Sequence, residues 1–172
     1  MRIILPFISF IFLLCIGCKE EEMNTDASDL NEVNTTLDQW HKAATETRFT
    51  DYFNLMTTDA VFIGTDATEY WGVDSFKTFA KPFFDKGKAW SFTSVQRHVY
   101  FNTDHSIAWF DELLSTQMKI CRGSGVLRKE NNEWKIAQYV LSMTIPNSLT
   151  KDVVTLKTGV EDTMMQAISA SK

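Results

Sequence analysis

Residues 106–145 read SIAWFDELLSTQMKICRGSGVLRKENNEWKIAQYVLSMTI, and this stretch decides the fold class. With the segment before it, it forms four runs rich in β-branched and aromatic residues, at 90–101, 106–116, 118–129 and 133–145. Turn residues separate the runs, notably Asn102-Thr103-Asp104 and Asn131-Asn132. Links this short join antiparallel neighbours, because a parallel return needs a crossover of about a dozen residues or more. The sequence therefore predicts a strongly curved antiparallel meander.

A helix is predicted before this sheet. Its apolar residues recur at steps of three and four, which indicates one buried face; they are Leu30, Val33, Leu37, Trp40 and Ala44. Asp29, together with Glu32, is placed to cap the start of the helix.

Three shorter elements connect this helix to the sheet. Residues 49–56 have the pattern of a short helix, residues 59–64 that of a strand, and residues 76–84 that of a helix which Pro82 kinks or breaks. Helices followed by an antiparallel sheet give an α+β architecture in which the N-terminal helices cover one face of the sheet.

A C-terminal helix is predicted after Pro146. Its apolar residues are again spaced at helical steps; they are Val153, Leu156, Val160, Met164 and Ile168. The sequence leaves open whether this stripe packs on the same domain, on a second subunit or on nothing ordered.

Composition and charge exclude several classes of protein. The chain has 172 residues, of which 44% are hydrophobic and 13% aromatic, as expected for one domain with a substantial core. The net charge is −5 without a basic cluster, so we predict no nucleic-acid partner. None of the three histidines has metal-ligand spacing with another histidine or cysteine, and neither a metal nor a cofactor is predicted.

The first residues have the pattern of a targeting signal. Arg2 precedes an apolar run at 3–16 that is shorter than the roughly 20 residues of a membrane span. The end of this run, Leu14-Cys15-Ile16-Gly17-Cys18, resembles a bacterial lipobox, although Cys15 stands where the family usually has Leu. The resemblance implies a signal peptide at 1–17, lipidation of Cys18 and a polar linker at 18–28; an ordinary secretory signal is the alternative.

The lipobox resemblance also implies a cellular location. A lipid on Cys18 would tether the protein to a membrane without a spanning segment, in the bacterial cell envelope. Lys19-Glu20-Glu21-Glu22 looks like a signal for the surface of the outer membrane, but an acidic run is also an ordinary solvated linker. The periplasmic and surface leaflets therefore both stay open.

Three strings in the chain resemble the SnoaL-like branch of the nuclear transport factor 2-like superfamily. They are residues 62–71 (FIGTDATEYW), residues 108–112 (AWFDE) and residues 121–127 (CRGSGVL). The resemblance covers a domain at 29–147 and leaves a C-terminal helical extension at 148–172. It implies a cone-shaped α+β barrel, commonly a homodimer, with one deep pocket. The superfamily contains isomerases, dehydratases, cyclases, hydrolases and binding modules, so it does not supply an activity.

Arg122 is the first candidate for a pocket residue. It alternates with Ile120 and Val126 on one predicted strand face, where an unpaired guanidinium is costly, so we expect it to be buried beside an anion. Asp111 or Glu112 on the neighbouring strand is the expected anion, and the sequence does not decide which. The pair would be either structural or part of a ligand site.

Three residues are candidates for acid or base catalysis. His41 lies at the edge of the stripe of the first helix, where its ring could face the cavity and act as an acid or a base, although a satisfied histidine at a helix edge is the commoner outcome. Asp66, in the loop with Glu69, and Asp111 are the other two. Asp66 is also an ordinary turn residue.

Aromatic side chains complete the predicted ligand site. Trp40, Trp71, Trp109 and Tyr139 could stack on a flat ligand or belong to the core. Cys121 is interpreted as a small buried apolar residue, because no histidine is placed beside it by sequence.

The sequence is compatible with three functions. The preferred hypothesis is a membrane-tethered homodimer that binds a small, mostly apolar ligand. The alternatives are a cofactor-free acid/base enzyme of the isomerase, dehydratase or cyclase type, and a protein-interaction module.

Overall fold

The computed structural model describes residues 18–170, with side chains from residue 26 onward. The predicted signal peptide at 1–17 lies outside the described residues, as does the side chain of Cys18. Within the described range, no helix has the length and apolar character that crossing a membrane requires.

The chain folds into four α-helices and six strands. The helices are α1 (Cys18–Thr45), α2 (Phe49–Asn54), α3 (Val73–Asp85) and α4 (Thr150–Ala170), the last preceded by a 3-10 turn at Asn147–Leu149. The strands are β1 (Met56–Ile63), β2 (Tyr70–Gly72), β3 (Phe92–Phe101), β4 (Ile107–Thr116), β5 (Lys119–Glu130) and β6 (Glu133–Met143).

All six strands belong to one sheet, in the order β2-β1-β6-β5-β4-β3. Strands β3 to β6 form the predicted antiparallel meander, while β1 lies parallel to β6 and antiparallel to β2. The pairing shifts register between Ser94 and Gln96 and again between Val126 and Leu127, and such bulges bend a sheet. The result is a curved, open α+β cone, which confirms the predicted fold class.

Helices α1, α2 and α3 cover the concave face of the sheet. The stripe of α1 is buried as predicted through Val33, Leu37 and Trp40, whereas Leu30, predicted as its first member, is 42% exposed. Aromatic rings fill the space below it: Trp40 stacks on Tyr52 at a ring-centroid distance of 4.7 Å. The core is thus built mainly from large rings, which contribute the most buried area per residue.

Helix α1 differs from its prediction at the start. It begins at Cys18, so the segment 18–28, predicted as a polar linker, is helical. Asp29 therefore lies inside the helix and not at a cap. Its buried carboxylate accepts hydrogen bonds from Lys129 Nζ at 2.5 Å and from His105 Nδ1 at 2.9 Å, and the Trp134 indole lies at 3.4 Å. Asp29 thereby ties α1 to β5 and to the β3–β4 turn.

Helices α3 and α4 both form where the sequence predicts a helix. Helix α3 runs through Pro82 without a break; Pro82 has no N–H to donate, so one backbone hydrogen bond is lost in the last turn, and the helix ends soon afterwards at Asp85. Helix α4 forms as predicted, and its apolar stripe is largely uncovered in the described structure, with Leu156 and Val160 exposed.

Candidate functional site

A fully buried carboxylate, Glu112, lies near the middle of β4, the strand next to the edge strand β3. Its Oε1 accepts hydrogen bonds from His41 Nε2 at 2.8 Å and from the Tyr139 hydroxyl at 3.0 Å. Its Oε2 accepts one from Arg97 Nε at 2.9 Å, and Arg97 Nη2 lies at the same distance. We call these four residues the Glu112 network.

The sheet register brings the network together. In the strand register, Glu112 on β4 lies opposite Arg97 on β3. On its other side, Glu112 lies opposite Gly123 on β5. A Cβ at Gly123 would lie 2.2 Å from the Tyr139 hydroxyl oxygen, so the absent side chain is what lets Tyr139 reach the carboxylate. His41 enters from α1, one residue after buried Trp40.

The electrostatics of the network fix the protonation of its acid and its phenol. Burial raises the pKa of Glu112, but the His41 hydrogen bond and the Arg97 charge outweigh it and hold that pKa below its usual value. Burial, reinforced by the Glu112 carboxylate, raises the pKa of Tyr139 well above its usual value. At neutral pH Glu112 is therefore ionised and Tyr139 is a neutral donor.

Arg97, and not Arg122, is the guanidinium inside the cone. It also reaches Asp38 on α1, with Nη1 2.9 Å from Oδ1. Arg122 is exposed, so its predicted burial is wrong. The reason is alternation: Cys121 and Gly123 point into the core, which places Arg122 between them on the outer face of the sheet. The sequence pattern that could have indicated an inward-facing Arg97 is its alternation with Val99 and Phe101 on β3.

A cavity of about 130 Å³ opens at another place in the cone. Six aromatic rings line it: Phe62, Trp71, Phe76, Phe79, Trp90 and Phe92. Met118 and Leu141 add apolar wall, and Glu69 is the charged residue of the lining. We call this the aromatic cavity.

Two of these rings stand between the aromatic cavity and the Glu112 network. Phe92 meets the His41 ring edge-on at a centroid distance of 5.9 Å, and Phe62 stacks on Tyr139 at 5.7 Å. The cavity and the network are therefore neighbours, and the network lies behind an aromatic wall.

The predicted site residues on the inner face divide between these two places. Trp71 lines the aromatic cavity, whereas His41, Glu112 and Tyr139 form the network. Trp40 is buried in the core between α1 and the sheet. Of the two acids that the sequence left open, Glu112 faces inward.

The other predicted residues lie elsewhere. Asp111 contacts His98 on the outer face, with Oδ1 3.2 Å from Nδ1, and Trp109, 45% exposed, stacks on Tyr100 there. Asp66 is exposed in its loop and accepts hydrogen bonds from the amide and hydroxyl of Thr68. These Thr68 hydrogen bonds lower the pKa of Asp66. The structure thus does not bring Asp66 or Asp111 to His41.

Several cavity residues were not singled out from the sequence. Phe79, Trp90, Phe92 and Met118 come from α3, the α3–β3 link, β3 and the β4–β5 turn. Their signal was only local amphipathicity, which marks them as apolar contacts without saying that they enclose a space. In residues 26–170 no group of three or more metal-binding side chains converges.

The chain is similar to known proteins in its sequence profile and in its fold. The SnoaL-like domain profile matches residues 33–146, and no curated protein matches the chain in sequence. Among solved structures, an NTF2-like protein of unknown function from Pseudomonas putida KT2440 superposes with a TM-score of 0.60 at 12% identity, covering 71% of this chain and 90% of its own.

Two further structures are similar in fold. A proposed NTF2-like dehydratase from Streptomyces avermitilis has a TM-score of 0.60 and 13% identity, over 70% of this chain and 99% of its own. A proposed scytalone dehydratase from Novosphingobium aromaticivorans has a TM-score of 0.60 and 10% identity, over 72% and 89%. Identities this low carry the fold and not the activity. The profile match, which covers more than half of the chain, shows that it belongs to the SnoaL-like domain family, and the NTF2-like structures show that it shares their fold.

Proposed function

We propose that this protein is a binding module that captures a small, mostly apolar ligand in the aromatic cavity. The observation that carries the proposal is an open space walled by six aromatic rings beside a polar network whose acid is already saturated. A ligand gains there from leaving water and from contact with ring surfaces. Little of the wall is polar, so affinity depends mainly on shape and apolar area.

The volume limits the size of the ligand. An apolar cavity of about 150 Å³ engineered into another protein binds benzene, and drug-sized ligands need about 300–1,000 Å³. The aromatic cavity, at about 130 Å³, therefore suits one ring or a short branched alkyl group. Benzyl alcohol is a suitable neutral probe, since it has one ring and a small polar end.

The test compares two phenylalanines on the same helix. Phe79 lines the cavity and Phe83, one turn later, does not, yet their exposures are close, at 39% and 43%. We expect Phe79→Ala to weaken benzyl alcohol binding by about tenfold, because it removes a ring from the wall; Phe83→Ala should leave it nearly unchanged. Calorimetry measures both. Equal losses in the two variants, or no binding to the unmodified protein, would overturn the proposal.

A cofactor-free acid/base enzyme is the second candidate, and one observation favours it. Glu112 holds His41 through Nε2, while Nδ1 has no hydrogen-bond partner among the described residues and the residue retains 5% exposure. A histidine oriented in this way can exchange a proton with a substrate. His41→Gln tests this: loss of turnover with retained benzyl alcohol binding supports the enzyme, whereas unchanged turnover excludes His41 from it.

The proposal includes anchoring in the bacterial cell envelope through a lipid on Cys18. Its support is the pattern of residues 1–18, in which an apolar run ends at Gly17-Cys18. The matched variant is Cys18→Ser. We expect it to move the protein from the membrane fraction to the soluble fraction, and retention of the variant in membranes would contradict lipid anchoring.

Self-association is proposed as well. The outer face of the sheet exposes Trp109 and Tyr100, and α4 exposes Leu156 and Val160; both surfaces are also compatible with the third hypothesis, a protein-interaction module. Sedimentation of the protein with and without residues 153–172 tests the helix. A dimer that persists without these residues assigns the interface to the domain, and a monomeric full-length protein contradicts the dimer.

A further inference from the structure

The charged side chains that line the aromatic cavity are of one sign, negative. Its lining contains one carboxylate, Glu69, and no lysine, arginine or histidine. The remaining polar side chains of the lining, Thr65 and Gln117, are neutral. An anionic ligand would therefore meet a like charge there and find no counter-charge.

The Glu69 carboxylate is largely unused by the protein. Within the described residues, its side chain accepts one hydrogen bond, from the Asp66 amide to Oε2 at 3.2 Å. An ionised carboxylate has about four acceptor positions, so most of its capacity is available to a ligand. Glu112 differs in this respect, because protein donors reach both of its oxygens.

A glycine keeps the carboxylate at the cavity. The backbone N–H of Gly64 donates to the carbonyl of Glu69 at 2.9 Å, which closes the loop. A Cβ added at Gly64 would lie 2.1 Å from Glu69 Oε2 and 2.9 Å from Glu69 Cβ. Any larger residue at position 64 must therefore displace the Glu69 side chain.

The rings of the lining add to the same polarity. The face of an aromatic ring is negative, and it attracts an ammonium group within about 6 Å of its centre. Several rings are nearly parallel, including Trp71 with Phe79 at 22° and Phe76 with Trp90 at 18°, but their centroids, 4.5 Å and 5.7 Å apart, leave no space for a third ring between them.

We infer that the ligand of the aromatic cavity is a small organic cation, an amine or methylated ammonium that carries no more than one ring or a short alkyl group, with Glu69 as its counter-ion. This inference rests on the proposed ligand-binding function and specifies its chemistry. It assigns Glu69 a binding role and distinguishes it from Glu112, which is structural.

Three probes with one skeleton test the inference: benzylammonium, benzyl alcohol and benzoate, at neutral pH and constant ionic strength. We expect benzylammonium to bind about tenfold more tightly than benzyl alcohol, as cation–π attraction and a carboxylate partner together allow. Benzoate should bind more weakly than the alcohol. Calorimetry measures all three on the full chain.

Two variants separate the charge from the pocket shape. Glu69→Gln should abolish the preference for benzylammonium over benzyl alcohol, because it removes the counter-charge from the cavity lining. Gly64→Ala keeps the acid but displaces it, and should reduce the preference in the same direction. Asp74→Asn removes the same charge from a fully exposed side chain that does not line the cavity, and should retain the preference.

The outcomes distinguish this inference from the proposed function. If benzyl alcohol binds and benzylammonium is no tighter, or if Glu69→Gln keeps the preference, the cationic ligand is wrong and the binding module stands. If none of the three probes binds, the proposed function fails and the inference fails with it. Circular dichroism and urea unfolding establish that each variant is folded before it is scored.

Discussion

Glu112 and Glu69 are two acids beside aromatic rings of the same cone, and they differ in what surrounds their oxygens. Glu112 is 0% exposed and is reached by His41, Tyr139 and Arg97. Glu69 is partly exposed, lines a cavity and receives one amide. The comparison teaches that the two acids differ both in burial and in the number of protein donors, and that the acid with few protein donors is the one with acceptor capacity for a ligand.

The same comparison explains why the site centre predicted from the sequence differs from the ligand site proposed from the structure. Protein donors occupy both oxygens of the Glu112 carboxylate, so it has no free acceptor position for a ligand. Its ion pair with Arg97 is therefore structural. The aromatic cavity, which is the proposed ligand site, lies beyond the network and is walled by Phe62 and Phe92.

Glu112→Gln is expected to have the largest effect on stability. The substitution removes the charge that pairs with Arg97 and His41, and breaking a buried pair costs about 3–5 kcal/mol because the partner charge stays buried. Urea unfolding measures the loss. The neighbouring Asp111→Asn is the control, since Asp111 faces outward beside His98. Equal losses in the two variants would contradict the structural role of Glu112.

A second saturated acid, Asp29, should give an intermediate effect. Asp29→Asn weakens the contacts with Lys129 and His105 that tie α1 to the meander. We expect a loss of about 1–3 kcal/mol, the usual cost of leaving buried hydrogen-bonding groups unsatisfied. Asp26→Asn, on an exposed side chain that contacts the same histidine, is the matched control and should cost less. A larger loss for Asp26 would reverse the assignment.

Acid should weaken the fold through both saturated acids. For Asp29, burial raises the pKa, but the Lys129 and His105 hydrogen bonds hold it below its ordinary value of 3.8; the pKa of Glu112 is likewise below its ordinary 4.5. A lowered folded-state pKa stabilises the protein above the ordinary value, and this contribution is lost as pH falls through the folded value. The free energy of unfolding should therefore decline below pH 4.5. Glu112→Gln should flatten the decline, and an unchanged slope would contradict the assignment.

Glu69→Gln should have the smallest effect on stability. The side chain has one protein hydrogen bond, which a glutamine oxygen can also accept, so we expect a change within about 0.5 kcal/mol in the absence of ligand. Urea unfolding beside Glu112→Gln gives the direct contrast. A loss comparable with that of Glu112→Gln would mean that Glu69 is structural.

Much of the fold was predictable because its signals are local. Turn residues at 102–104 and 131–132 and the β-favouring runs between them predict the meander, and the stripe of α1 predicts which face of the helix is buried. The burial of Arg122 was predicted wrongly for a local reason too: one residue of offset exchanges the two faces of a strand, and glycines at 123 and 125 conceal which face is apolar.

The candidate site was predictable only in part, because its residues come from elements that are distant in sequence and meet only in the folded chain. Trp71 and Glu69 stand in one short segment, and the sequence pointed to both. Other residues that line the cavity lie on α3, on β3 and in the β4–β5 turn. No local sequence pattern predicts that their side chains enclose a space. Arg97 meets Glu112 through the β3–β4 register, which is known only once the strands are paired.

An NMR titration with benzyl alcohol that follows the tryptophan indole signals and the Met118 methyl group tests most directly whether the aromatic cavity binds a ligand. We expect ring-current shifts at Trp71, Trp90 and Met118, which line the cavity. Trp109 on the outer face and Trp134 beside Asp29 should stay in place. Shifts centred on Trp109, or no shifts at all, would contradict the claim that the aromatic cavity is the ligand site.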